Sequence, residues 1–348
     1  SIMRMIRRCT CRNRSATKHT TSSVTILWSL IAKYNPSRRR LGETVRGFPA
    51  TLLKDHESEL VGRDPLELNL ERPGFGWGLD EALEHALHDL AGKALGLPMY
   101  KLLGGAYRSE VPVSAWSPHH GPGNPQKTAV VAERAVSMGY DVIKLKARPW
   151  DIVETARAIR DAVGDEMGIV CDPNTQFGHP ATALKLARRL ERYNIICFED
   201  PVPKNLDWYV LMRAKMDIPL ALHITGSDVF NAVKREACDY INTGGTMREF
   251  KNYAGVAALA GIPVWHGSGN DLGIMEASYV HACAATSNAT LTSDIFGEFC
   301  RVDDLLVEPI EIKNGQARVP NKPGLGVELD MKAVEKYRVS EHYVGKVV

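Results

Sequence analysis

The chain has 348 residues, of which 44% are apolar and 24% charged, and its 43 basic side chains nearly balance its 41 acidic ones. This composition predicts a globular protein with a large core, long enough for about two domains. The balanced charge gives no electrostatic case for a nucleic-acid or membrane partner, and no apolar run approaches the roughly 20 residues that cross a bilayer. We therefore expect a small-molecule partner.

The start of the chain is strongly basic, because ten lysines and arginines precede Glu43, the first acidic residue. An Arg-rich, acid-poor segment is typical of an organelle transit peptide. The run SSVTILWSLIA, residues 22–32, is instead typical of a strand, and we favour folded structure. Seven cysteines without CxxC spacing predict reduced thiols in a cytoplasmic protein. A metal pair of Cys9 and Cys11 is the less favoured interpretation.

The segment GLDEALEHALHDLAGKALG, residues 78–96, has the apolar spacing of one amphipathic helix. Asp80 is its predicted cap. We expect residues 1–108 to form an α+β capping domain, to which the tail, residues 325–348, returns.

Residues 109–324 alternate short apolar runs with helical patterns. This alternation predicts an α/β fold, a parallel (β/α)8 barrel. A doubly wound open sheet would show the same alternation, but no glycine-rich phosphate loop follows the first run. The eight predicted strands are residues 111–116, 140–146, 168–172, 195–200, 219–224, 238–243, 262–267 and 289–295.

The run YDVIKLK, residues 140–146, ends in two lysines one residue apart. In a strand, Lys144 and Lys146 share a face. Repulsion between two ammonium groups and partial burial both lower a lysine pKa, which makes the side chain a usable base near neutral pH. For an isolated pair, a solvated strand end is the alternative. Polar residues also end the other predicted strands, at the edge where barrel enzymes carry their chemistry: Asp172, Asn174, Glu199, Asp200, His223, Asp239, His266 and Asp294.

Seven segments resemble, in order, those of the enolase superfamily, within its mandelate racemase group. They are LGETVRGFP, ALHDLAGKALGLPMYKLLGG, YDVIKLK, CDPNTQF, CFEDPVP, TGGTMREF and PVWHGSG. The resemblance implies removal of the proton next to a carboxylate, with Mg²⁺ as cofactor and Mn²⁺ as the alternative. A divalent cation on the carboxylate oxygens offsets the charge that this reaction creates.

The resemblance also implies residue roles on the two lysines and the acidic strand ends. Asp172 and Glu199 match metal ligands, and Lys146 matches the base. Lys144 lowers the pKa of Lys146 and contacts the substrate carboxylate. The family's third ligand, a Glu on the fifth strand, is replaced in IPLALHITGSD, so that His223, a nearby acid or no residue at all takes its place. The nearby acid is Asp228.

On the opposite side of the barrel mouth, the resemblance implies His266 as a second acid/base, oriented by Asp239. The alternative is that Asp239 only begins the sixth strand, which would leave His266 without this partner. Asn174, Arg46 and Asp294 are the predicted substrate contacts. Further specificity is expected from His119 and His120 and from the loops at residues 12–22 and 46–49.

The leading functional hypothesis is a dehydratase of acid sugars, in which Lys146 removes the α-proton and His266 helps the β-hydroxyl to leave. The alternative is a racemase or epimerase that uses the same two residues. A muconate-type cycloisomerase is less favoured, because the sixth strand offers Asn242 and Thr243 where those relatives carry a lysine. The absent third Glu motivates another class, a non-catalytic barrel that binds an acid. The expected partner is a small carboxylate, and a homo-oligomer is the expected assembly.

Overall fold

The computed structural model describes residues 4–11, 20–26, 42–44, 56, 69–70, 74–76, 78–269 and 271–337. Strands β1 (Arg4–Cys11) and β2 (Thr20–Ile26) form an antiparallel pair. Strand β2 covers the first part of the predicted strand segment, and the rest of that segment lies outside the described residues. The side chains of Cys9 and Cys11 lie outside the description as well.

Short strands and helices alternate from residue 110 onward, and this confirms the predicted α/β barrel architecture. Seven parallel strands form one sheet, in the order β10-β9-β8-β7-β6-β5-β4. The elements after β2 are α1 (Leu79–Leu95), α2 (Met99–Leu102), β3 (Glu110–Pro112), β4 (Ala115–Ser117), α3 (Pro125–Ser137), β5 (Val142–Lys146), α4 (Ile152–Val163), β6 (Gly168–Asp172), α5 (Pro180–Leu190), β7 (Ile195–Glu199), α6 (Leu206–Arg213), β8 (Leu220–His223), α7 (Ser227–Lys234), β9 (Tyr240–Thr243), α8 (Met247–Leu259), β10 (Val264–His266), α9 (Gly273–Ala284), β11 (Ile312–Lys313), β12 (Gln316–Arg318) and α10 (Met331–Lys336).

The first and eighth predicted strands differ from the structure. Residues 111–116 divide between β3, which pairs antiparallel with β12, and β4, which begins the barrel sheet. Residues 289–295 form no regular strand, yet they bridge the two edges of the sheet. Leu291 N donates to Val264 O of β10 at 3.5 Å, and Ser293 O accepts the N–H of Ser114, directly before β4, at 3.1 Å. The barrel therefore closes through an irregular stretch.

The side chains inside the barrel follow the strand alternation. Val142, Val170, Cys197, Ala221 and Trp265, from five different strands, pack together as one buried cluster. Because side chains two positions apart in a strand share a face, the residues that follow this cluster point into the barrel mouth. These residues are Lys144, Asp172, Glu199 and His223.

Helix α1 confirms the predicted helix and contacts the barrel helices. Its N-cap is Gly78, and the carboxylate of Asp80 instead accepts the N–H of Phe75 at 2.7 Å, so Asp80 is not the cap. Glu84 accepts the N–H of Met247 at 2.6 Å at the start of α8, where a carboxylate is favourable.

The tail contacts the same helix. Leu325 N donates to the Asp89 carboxylate of α1 at 3.0 Å. The predicted division of the chain at residue 108 stays a prediction, and residues 338–348 lie outside the description. Across the described part of the chain, no helix is long and apolar enough to span a membrane.

Candidate active site

Lys144 lies at the centre of a buried acidic cluster in the barrel mouth. Its Nζ is 2.7 Å from Glu199 Oε2, 3.0 Å from Asp294 Oδ2 and 3.6 Å from Asp172 Oδ2. The side chain of Lys144 is only 4% exposed. The neighbouring Lys146 also contacts Asp172, but its side chain is 25% exposed. The structure thus brings five of the predicted site residues together, and among them Lys146 is the one that reaches solvent.

Burial and the lysines together set the protonation of this cluster. Burial alone would raise the pKa of Asp172, but Lys144 and Lys146 outweigh it and the pKa is lowered. Burial raises the pKa of Glu199 to about 8 despite the ammonium of Lys144, and the neighbouring Asp172 and Asp294 add to the rise. Burial opposes the charge of Lys144, yet its three carboxylate neighbours raise its pKa well above the usual value. Lys144 is therefore a fixed cation.

The fifth strand of the barrel, β8, supplies a histidine in place of a carboxylate. His223 Nδ1 lies 3.8 Å from Glu199 Oε1, and the side chain is 46% exposed. Partial burial of the ring and the charge of Lys144 lower the pKa of His223 to about 4. The next residue, Ile224, is buried, and Asp228 is an exposed residue in the first turn of α7.

Two carboxylates of the site carry the oxygen donors that divalent cations prefer. Asp172 and Glu199 end adjacent strands and both contact the ammonium of Lys144, so both carboxylates face the barrel mouth. Hard oxygen ligands suit Mg²⁺. Within the described ranges, no three His, Cys, Asp or Glu side chains lie close enough to form a metal site. The chemistry of these donors, two carboxylates and a neighbouring imidazole, is compatible with a divalent cation.

Asn242 contacts the acidic cluster, and the sequence assigned it no role there. It is fully buried on β9, and its Nδ2 donates to Glu199 Oε1 at 2.8 Å. Gly267 lies against its amide, because a Cβ at Gly267 would be 2.6 Å from Asn242 Oδ1. Asn242 therefore orients Glu199, and only glycine fits beside it. A buried amide inside the apolar run CDYINT was the available signal.

The structure places His266 on the outer face of the barrel, contrary to the prediction. Its neighbour Trp265 points inward, since its indole N–H donates to Asp294 at 3.1 Å. Successive residues of a strand face opposite sides. The ring of His266 accordingly lies between Tyr279 of α9, with ring centroids 4.0 Å apart, and Phe250 of α8, at 4.6 Å. Gly267 is the residue that this strand presents to the mouth.

The imidazole of His266 is buried and neutral. Its Nδ1 donates to the carbonyl of Gly267 at 2.5 Å, and its Nε2 has no hydrogen-bond partner among the described residues. Burial lowers its pKa to about 4, against the opposing effect of the carbonyl. The predicted pair of Lys146 and His266 on two sides of one substrate is not assembled.

Asp239 does not orient His266, and this prediction is wrong. Asp239 precedes β9 and so lies at the amino-terminal end of the strand. The mouth is at the opposite, carboxyl-terminal end. The carboxylate of Asp239 accepts from Arg213 Nε at 2.7 Å and from the N–H of Leu220 at 2.9 Å. Strand β9 has only four residues, so Asp239 begins the strand instead of ending it.

The remaining predicted contacts lie around the mouth or outside the description. Asn174 is exposed, has a φ of 48°, and donates its backbone N–H to Asp172 at 2.9 Å. A left-handed backbone is tolerated by Asn. His119 hydrogen-bonds to Asp151 at 2.8 Å. Arg46 and most residues of the two predicted specificity loops lie outside the described residues.

Comparisons with known proteins agree with this architecture. The family model described as enolase C-terminal domain-like matches residues 127–333, more than half of the chain. D-xylonate dehydratase of Haloferax volcanii is 34% identical over 338 residues, which cover 84% of this chain and 80% of the relative. Muconate cycloisomerase 1 of Rhodococcus opacus is 30% identical, covering 74% of this chain and 71% of the relative.

Among solved structures, an N-succinyl Arg/Lys racemase from Bacillus cereus matches with a TM-score of 0.83 at 22% identity, covering 99% of this chain and 98% of that one. At this identity the likeness shows the fold alone. The family match and the 34% identity establish that the chain belongs to the enolase superfamily, as an enzyme of its mandelate racemase and muconate lactonizing group.

Proposed function

We propose that the protein is an acid-sugar dehydratase, which removes the α-proton of a small sugar acid and expels the β-hydroxyl as water. The observation that carries this proposal is the cluster of Lys144, Lys146, Asp172 and Glu199 at the barrel mouth. The similarity to a D-xylonate dehydratase supports the same reaction class.

Lys146 is the proposed base. It is the partly exposed lysine of the pair, and its contact with Asp172 keeps its Nζ at the mouth. In its neutral form the amine takes the α-proton, and the C–H electrons form an enediolate. The proton then leaves with the β-hydroxyl as water, and the resulting enol becomes a 2-keto-3-deoxy acid. Lys144 attracts the substrate carboxylate, since it is a fixed cation.

We propose Mg²⁺ as the cofactor, with Mn²⁺ as the alternative. Asp172 and Glu199 are the proposed oxygen ligands, and His223, 3.8 Å from Glu199, is the proposed third donor. A neutral imidazole favours Mn²⁺ over Mg²⁺. A bound divalent cation offsets negative charge on the substrate carboxylate.

We also propose that the protein forms a homo-oligomer and that it lies in the cytoplasm. The cytoplasmic location is consistent with the five described cysteines, all of which are free.

Dehydration is favoured over racemisation by the outward position of His266. Racemisation by two bases needs a proton acceptor on each face of the α-carbon. Strand β10 presents Gly267 to the mouth, which carries no side chain for that role, while the His266 ring lies among α8 and α9. Lys146 alone can serve an elimination, because the same residue can remove one proton and deliver it to the leaving group.

The test is turnover of a panel of mono- and diacid sugars with Mg²⁺ in D₂O, followed by NMR and a 2-keto-3-deoxy acid assay. We expect wild type to dehydrate at least one acid, and Lys146→Ala to lose both product formation and α-deuteration. Lys185→Ala, which removes an exposed lysine of α5, is the matched control and should keep wild-type turnover. Inversion with deuterium uptake and no loss of water would indicate a racemase instead.

A further inference from the structure

We propose that the Lys144 ammonium is a resident cation of the active site, and that a divalent metal binds only by displacing it from Asp172 and Glu199. Lys144 then determines the metal affinity of the enzyme. This inference rests on the proposed function, because it takes those two carboxylates as the metal ligands.

The geometry of Lys144 is that of a bound cation. Two strand-end carboxylates, Glu199 and Asp172, lie 2.7 and 3.6 Å from its Nζ, and Asp294, from the irregular stretch that closes the barrel, lies 3.0 Å from it. The ammonium and two of its partners, Glu199 and Asp294, are nearly inaccessible to solvent, with side-chain exposures of 4%, 1% and 6%. At such burial, opposite charges attract much more strongly than at the surface. Lys144 therefore holds the three acids together.

Oxygens bind Mg²⁺ at about 2.0–2.1 Å, whereas the carboxylates around Lys144 are spaced for an ammonium. Strand β8 adds no carboxylate, because Ile224 follows His223 there. Two acidic ligands attract a divalent metal less strongly than three would, so the metal competes less well with the ammonium of Lys144.

The substrate can change this balance. A carboxylate arriving at the mouth offers Lys144 a new anionic partner and releases Asp172 and Glu199 to the metal. Metal and acid should then tighten each other's binding by the same factor, since coupling between two ligands is reciprocal. The enzyme would bind metal weakly alone and firmly with an acid present.

The experiment measures Mn²⁺ binding to the full chain by EPR detection of free Mn²⁺, without any turnover. Lys144→Met removes the resident cation and should bind Mn²⁺ at least about tenfold more tightly than wild type, a readily measured difference. Lys144→Arg keeps the charge and should remain weak. Lys146→Met is the matched control, because it removes a second cation that contacts Asp172 but lies outside the three-acid centre.

Equal tightening in Lys144→Met and Lys146→Met would overturn the proposal, since a general charge effect would then suffice. Unchanged or weaker binding in Lys144→Met would overturn it as well. If Lys144→Met does not fold, wild type is titrated in acetate and in chloride at equal ionic strength. Tighter Mn²⁺ binding in acetate supports displacement of Lys144, and equal binding contradicts it. Separately, Mn²⁺ binding that Asp172→Asn leaves unchanged would count against the proposed metal ligands, and thus against the proposed function.

Discussion

At the scale of single residues, the site depends on which way one pair of neighbours points. His266 and Gly267 are adjacent, yet the imidazole packs between Phe250 and Tyr279 while Gly267 lies against the amide of Asn242. A shift of one position in a strand exchanges the two faces of the sheet. The histidine of PVWHGSG therefore supports the packing of helices, and the glycine supports the active site.

Substitutions at these two neighbours should have opposite effects. His266→Phe keeps a ring between Phe250 and Tyr279 and should retain most of the turnover. Gly267→Ala puts a Cβ within 2.6 Å of Asn242 Oδ1, which must displace the amide from Glu199 and reduce turnover. Steady-state kinetics and urea unfolding check both. A loss of about 10²-fold or more in His266→Phe, as expected for a missing general acid, would contradict the outward placement.

At the scale of elements, the exact ends of a short strand determine whether a neighbouring residue lies at the mouth or at the opposite end of the barrel. Strand β9 has four residues, and its amino-terminal end is fixed by Asp239, which binds Arg213 and the N–H of Leu220. Its carboxyl-terminal end leads into α8, where Thr246 and Glu249 form a capping box. The acid that precedes the strand is thus structural, and the amide inside it, Asn242, belongs to the site.

Removal of Asp239 should therefore change stability and leave turnover unchanged. Asp239→Ala loses two hydrogen bonds, one of them to a partly exposed Arg213, and should cost about 1–2 kcal/mol of unfolding free energy. Arg213→Ala should cost less, and the two changes should be non-additive in a double-mutant cycle. Urea unfolding and steady-state kinetics provide the measurements. A large loss of turnover with unchanged stability would mean that Asp239 acts in the reaction.

At the scale of the whole molecule, buried histidines make the free energy of unfolding depend on pH. Burial lowers the pKa of His85 to about 3 and those of His266 and His281 to about 4. His281 Nε2 of α9 donates to the carbonyl of Leu325 at 3.0 Å, and so ties the barrel to the tail. The folded state keeps each imidazole neutral, whereas the unfolded chain protonates it near pH 6.5.

The sign of the pH effect follows from this difference. A group whose pKa is lowered on folding contributes stability above its unfolded pKa and loses it as the pH falls, here between about 6.5 and 4. For His281 the contribution is about 3 kcal/mol at most. His281→Gln can still donate to Leu325 but does not titrate, so its unfolding free energy should fall less steeply than that of wild type. Urea unfolding at pH 7.5, 6 and 5 tests this, and parallel curves would contradict it.

The sequence by itself determined the repeating strand-helix pattern and the part of the candidate site that lies at the ends of β5, β6 and β7. Apolar runs that each end in a polar residue are local signals, so Lys144, Lys146, Asp172 and Glu199 could be assigned from strand ends alone. The parallel barrel brings these ends together because all carboxyl-terminal strand edges meet at one mouth. The family resemblance rested on the same local segments.

Only the tertiary structure decided which residues at β9 and β10 face the mouth. Strand β10 has three residues and β9 has four, too few for alternation in the sequence to fix which residue points inward. The inward positions of Trp265, Asn242 and Gly267 follow from packing against other strands. The fit of Asn242 to Glu199 joins residues 43 positions apart, and no local pattern contains such a contact. The sequence therefore could not show which residues at β9 and β10 face the site, because the closed barrel as a whole sets the register of these strands.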